Sequence, residues 1–100
     1  MNGIKIDLPQ EAIVEICKRY QVRELSVFGS AVRDDFTDQS DIDILVEFQP
    51  DAKIGFLAFI GMQMELSELL KRKVDLVSKR GLNPIIRDEV INSSKVLYAA

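Results

Sequence analysis

In the stretch SDIDILVEF, residues 40–48, two carboxylates stand at the mouth of an apolar run. Ile42, Ile44, Val46 and Phe48 alternate with other residues in a segment rich in branched side chains, the pattern of a strand. Successive strand residues point to opposite faces. With those four facing a core, Asp41 and Asp43 share the other face. Two acids held this close repel each other and stay charged together only with cations between them. The strand therefore has one face for a core and one for chemistry.

Magnesium is the natural cation for such a place. It takes oxygen ligands, typically one or two carboxylates together with phosphate oxygens. The chain has no histidine and a single cysteine, which removes the usual zinc, general-base and triad designs and any internal disulfide. An anion cradle precedes the acids in sequence. The apolar run 25–28 reads as a strand stopped by Gly29, and residues 30–33 can begin a short helix. Backbone N–H groups at a strand-to-helix turn favour a phosphate; Gly29 allows close approach, and the Ser30 hydroxyl can donate to it. In the polar loop that follows, Asp34, Asp35 and Asp38 read as solvated, without the glycine and terminal glutamate of a calcium loop. A third acid, Asp75, lies in a strand over residues 74–78. If that strand pairs beside the second, the three carboxylates could hold two metal ions about 4 Å apart for an in-line phosphoryl displacement.

The remaining elements frame this region. Leu8, Ala12, Ile13, Ile16, Cys17 and Tyr20 recur at helical spacing, so residues 9–20 are expected to be a helix, with Pro9 as its first position. Cys17 and Tyr20 belong to its packing face and receive no functional role. Residues 54–72 form the longest helix, with Ile54, Leu57, Met64 and Leu69 among its apolar positions. Burial explains one face but not Phe56, Phe59, Ile60 and Met62 together, so residues 54–62 are either deeply buried or a surface for a homo- or hetero-oligomer. Asn83-Pro84 starts a helix over 84–92, and residues 96–98 form a last short strand. The order predicts one α/β (α+β) domain over residues 1–100, a small mixed sheet of three to four strands packed with helices.

Charge and hydropathy narrow the partners. A formal net charge of −3 offers no broad positive field for duplex DNA or RNA. The N-terminus lacks a secretory pattern, and the nine apolar-rich residues 54–62 fall short of the roughly 20 that a membrane helix needs. Cytoplasm is the expected location.

Gly29-Ser30, ten residues, then Asp41-Ile42-Asp43 reproduces the G-S-x10-D-x-D signature of nucleotidyltransferases similar to DNA polymerase beta. With Asp75 as the later acid, in so short a chain, the sequence most resembles the minimal nucleotidyltransferase (MNT) domain proteins. The resemblance runs from about residue 27 to 77. It implies a palm-like fold and transfer of AMP from ATP to an acceptor hydroxyl, with release of pyrophosphate. It also implies that Gly29 and Ser30 bind the triphosphate and that Asp41 and Asp43 ligate two magnesium ions. Asp75 would ligate one of these ions and help deprotonate or orient the acceptor. MNT proteins commonly act as antitoxins to HEPN-domain ribonucleases, some by adding AMP to a toxin tyrosine, so a HEPN-type toxin is the implied partner. The alternative is a non-catalytic antitoxin that masks its partner sterically. One departure stands out: Arg33 is present, but Asp34 replaces the glycine that often follows it. Arg33 then contacts phosphate or is an ordinary surface arginine. The additional substrate domain of larger relatives is absent from these residues.

Overall fold

A computed structural model describes residues 8–29 and 41–100. Along the chain they form helix α1 (Gln10–Arg19), strands β1 (Val22–Phe28) and β2 (Ile42–Phe48), helix α2 (Phe56–Leu70) and strand β3 (Val74–Ser78). A 3₁₀ turn (Lys79–Gly81), helix α3 (Pro84–Ser93) and strand β4 (Lys95–Ala99) complete the order. The sheet runs β3-β2-β1-β4; β2 lies antiparallel to β1 and parallel to β3, and β1 is antiparallel to β4. This is the small mixed sheet expected, with four strands.

One face of the sheet makes the core. Val27, Ile44 and Leu76 sit at facing positions on β1, β2 and β3, with Leu25, Val46, Ile42 and Val74 in the same layer. Helix α1 covers it with Ile13, Ile16 and Cys17, and α2 with Met62 and Leu66, all of them buried. The two helices are joined by a polar clasp: the Arg19 guanidinium and the Tyr20 hydroxyl both donate to the Glu65 carboxylate. Arg19 first and Tyr20 second hold that carboxyl below its ordinary range. The free edge of β3 is covered by α2, because the Val74 N–H donates to Ser67 Oγ at 3.0 Å and the Leu76 N–H to Gln63 Oε1 at 2.9 Å. An edge capped by side chains cannot template another strand there.

Some boundaries differ from the sequence reading. Pro9 is the N-cap of α1 rather than its first helical residue; its ψ of 92° is extended. Strand β1 begins at Val22, three residues early, because Val22 pairs with β2 and Glu24 with both β2 and β4, which carries Arg23 into the strand at the register shift between them. Helix α2 begins at Phe56 and ends at Leu70, where Lys71 turns left-handed with φ of 56°. Its inward stripe is Phe59, Met62, Leu66 and Leu69, while Leu57 and Met64 are 83% and 61% exposed. Ile54 precedes the helix. The expected surface over residues 54–62 is thus split: Met62 belongs to the core, Phe59 packs edge-on to Phe48 with centroids 6.3 Å apart, and Phe56 stays outside. The Asn83 cap is as expected, with Oδ1 accepting from the Ile85 N–H at 2.9 Å and Pro84 in the first turn. No helix among the described residues is long and apolar enough to cross a membrane.

Cys17 is fully buried, and burial pushes its thiol up to about 12. Thiolate, not thiol, is the nucleophile. The folded protein is therefore expected to give no reaction with a disulfide-exchange reagent at pH 8 and one equivalent in denaturant; stoichiometric labelling of the native protein would show that the α1 face opens.

Candidate active site

The outward face of the sheet is set by the same alternation that makes the core. On β2 it carries Asp43, Leu45 and Glu47, and on β3 Asp75 and Val77. The parallel register pairs Asp43 with Asp75, and the antiparallel register pairs Asp43 with Phe28. Adjacent strands are about 4.8 Å apart, so Asp43 and Asp75 are lateral neighbours on one face. Asp75 is exposed and Asp43 half-buried.

Gly29 follows Phe28 and completes the end of β1. Its φ of +70° is left-handed, a region where glycine alone is unstrained. The reason it must be small lies across the sheet: a Cβ built on Gly29 would overlap Asp43 Oδ2 and stand 3.1 Å from its Cγ. The turn and the carboxylate therefore occupy one space, and each fixes the other. Sequence spacing separates them by fourteen residues; the β1–β2 pairing removes that separation.

Asp41 lies just before β2, exposed, with Lys73 Nζ 4.0 Å from its Oδ2. The Ile42 N–H bonds to the Lys73 carbonyl at 2.9 Å, which fastens the start of β2 to the chain entering β3. Of the expected site residues, then, Gly29, Asp43 and Asp75 are brought together by pairing, and Asp41 is two residues upstream on the same strand entry. Among the described residues no three His, Cys, Asp or Glu side chains are grouped closely enough to hold a metal ion as they stand. Ser30 and Arg33, the short helix over 30–33 and the loop acids Asp34, Asp35 and Asp38 lie outside the described residues.

The donor set fits a hard divalent cation. It consists of carboxylate oxygens from Asp43 and Asp75, paired across β2 and β3, with Asp41 next along the chain. Gly29 leaves backbone unshielded beside that set, where a phosphate can approach.

The family model described as polymerase beta, nucleotidyltransferase matches residues 11–100. Protein adenylyltransferase MntA of Thermococcus cleftensis is 42% identical over 84 residues, 84% of this chain and 81% of that one. A solved crystal structure of a toxin-antitoxin with AMP-PNP is similar at a TM-score of 0.75 and 23% identity, covering 93% of this chain and 75% of that one. A second holds a tri-AMPylated Shewanella oneidensis HEPN toxin in complex with its MNT antitoxin; it is similar at a TM-score of 0.66 and 22% identity, covering 91% and 70%. At such identities the two structures speak for the fold alone.

Proposed function

The chain belongs to the polymerase beta nucleotidyltransferase family, and on that premise we propose that it transfers AMP from ATP to a tyrosine hydroxyl of a HEPN-type toxin and so acts as the antitoxin of the pair. The observation that carries this reading is the strand register that sets Asp43 beside Asp75, with Gly29 pressed against the Asp43 carboxylate. The name of the Thermococcus relative supports the activity; the nucleotide and the partner are carried over to this chain from what the proteins that share its fold hold, AMP-PNP in one and an AMPylated HEPN toxin in the other.

Each residue has a part. Gly29 and Ser30 receive the triphosphate through backbone N–H groups and the Ser30 hydroxyl. Arg33 offers a further cation for the phosphates. Asp41, Asp43 and Asp75 supply carboxylate oxygens for two magnesium ions. When bound, such ions neutralise the triphosphate and the leaving pyrophosphate. Asp75, the most exposed of the paired acids, orients the acceptor hydroxyl and takes up its proton. A bond forms between the tyrosine oxygen and the α-phosphorus as the bond from that phosphorus to the bridging oxygen breaks, and pyrophosphate departs with the electron pair. The cytoplasm supplies ATP and magnesium for this reaction.

A mass spectrum of the HEPN partner after incubation with the chain, magnesium and each of the four ribonucleoside triphosphates tests acceptor and base together. The expected result is one adduct, AMP on tyrosine, from ATP. Neutralisation of the toxin with no adduct from any nucleotide would favour steric masking instead.

A further inference from the structure

At the far end of the sheet a pocket of about 620 Å³ opens between the β2–α2 connection, the start of α2, the 3₁₀ turn and α3. That is the size of a pocket for a small ligand or a few side chains. Four residues along β2 separate Glu47 in this pocket from Asp43, about 13 Å at strand rise, so a group seated here does not reach the acids.

The pocket joins an apolar floor to spare positive charge. Phe48 and Phe59 form the floor, with Ile54 beside them. Lys79 is already engaged, its Nζ 3.4 Å from Glu47 and 3.8 Å from Glu24. Arg80 and Arg87 are not so held: Arg80 is exposed, and Arg87 Nε is buried with no hydrogen-bond partner among the described residues. A buried guanidinium N–H without an acceptor is unfavourable, and a carboxylate answers the planar fork of arginine best.

The apolar surface also continues outward. Phe56 at the pocket rim is 77% exposed, and Leu57 and Met64, two helical turns apart on one side of α2, lie beyond it. A small ligand would fill the pocket and leave that strip uncovered; a polypeptide crossing the rim covers both. We propose that this pocket is a docking site for a partner protein, which seats an acidic side chain against Arg80 and Arg87 and a neighbouring aromatic or aliphatic residue on Phe48 and Phe59. The inference rests on the reading that the chain acts on a protein, and it separates the place where that protein is held from the place where it is modified.

The test has two arms. In the first, the ¹⁵N-labelled chain is titrated with acetyl-Phe-Glu-amide, acetyl-Phe-Gln-amide and ATP. The Glu peptide is expected to shift the amides of Phe48, Gly55, Phe59 and Arg87, and the Gln peptide to bind at least about fivefold more weakly, the loss of one charge-assisted pair. Equal binding of the two peptides, shifts elsewhere, or displacement of the same amides by ATP overturns the assignment. In the second arm, Phe56→Ser and Arg80→Glu, both at exposed positions that leave the core untouched, are combined and binding to the HEPN protein is measured. About a tenfold loss or more is expected, the scale of a central interface residue. Unchanged affinity overturns the proposal. Failure of the toxin to bind even the wild-type chain counts against the proposed function, and the first arm, which uses no toxin, then decides the pocket by itself.

Discussion

Asp43→Asn is expected to lower AMP transfer by more than about 100-fold, since losing even a supporting partner of a metal ligand costs 10–100-fold. The substitution keeps the shape of the side chain and removes the negative charge. Asp43 occupies the middle of the outward face, between Phe28 on β1 and Asp75 on β3. Any cation shared with Asp75 must pass this residue, so no other carboxylate can take its place without moving a strand. The inward neighbours Ile42 and Ile44 are untouched and fully buried, so the fold is expected to persist with a Tm within about 4 °C of wild type. Single-turnover transfer and a thermal melt on one preparation check both halves. An unchanged transfer rate would remove Asp43 from the site.

Gly29→Ala is expected to damage stability and activity together. Alanine at φ of +70° costs roughly 1–2 kcal/mol, which for a domain of this size lowers Tm by about 4–16 °C. The new Cβ also falls on Asp43 Oδ2, so the carboxylate must turn away. A displacement near 1 Å at a reacting group can cost about 100-fold in rate. A double-mutant cycle separates the two causes. In an Asp43→Ala background the overlap is gone and only backbone strain remains, so Gly29→Ala should destabilise that protein less than wild type. Equal destabilisation in both backgrounds would mean that the turn and the carboxylate are independent.

How much of this was legible in the sequence depended on whether neighbours along the chain carried the signal. Strands β2 and β3 were readable because each is a run of branched residues with an acid at an outward position near its start, Asp43 on β2 and Asp75 on β3. The start of β1 was hidden, since Arg23 and Glu24 look like loop and are strand only because Glu24 pairs with both flanking strands and Val22 with β2, with Arg23 at the register shift between them. The inward face of α2 was left unassigned for a physical reason: its first half is apolar nearly all round, so periodicity had no polar side to mark, and only packing against β3 and α1 selects Met62 and Leu66 over Leu57 and Met64.

The site shows the same division. The candidate acids, Gly29 and Ser30 were proposed from residue types and spacing, and Arg33 from the resemblance alone. The contact between Gly29 and Asp43 was not legible, because it is made by antiparallel pairing across the loop between them. The pairing of Asp43 with Asp75 needed a parallel register, which α2 creates by crossing from one strand to the other. The distal pocket was legible only in its apolar half, through Phe48 on the core pattern of β2 and Phe59 in the apolar excess over residues 54–62. Phe48, Phe59, Arg80 and Arg87 come from four elements, and only the fold brings them together. The two arginines alone read as ordinary surface.

The central claim is that the carboxylate face moves a nucleoside monophosphate, and the phosphate that stays behind reports it most directly. The chain, magnesium and the HEPN partner are to be incubated in parallel with ATP labelled at the α- or at the γ-phosphate. The expected result is that α-label becomes fixed on the partner, with unlabelled pyrophosphate released, while γ-label leaves entirely as pyrophosphate. Label from the γ-phosphate on the partner, or none from either position, would contradict it.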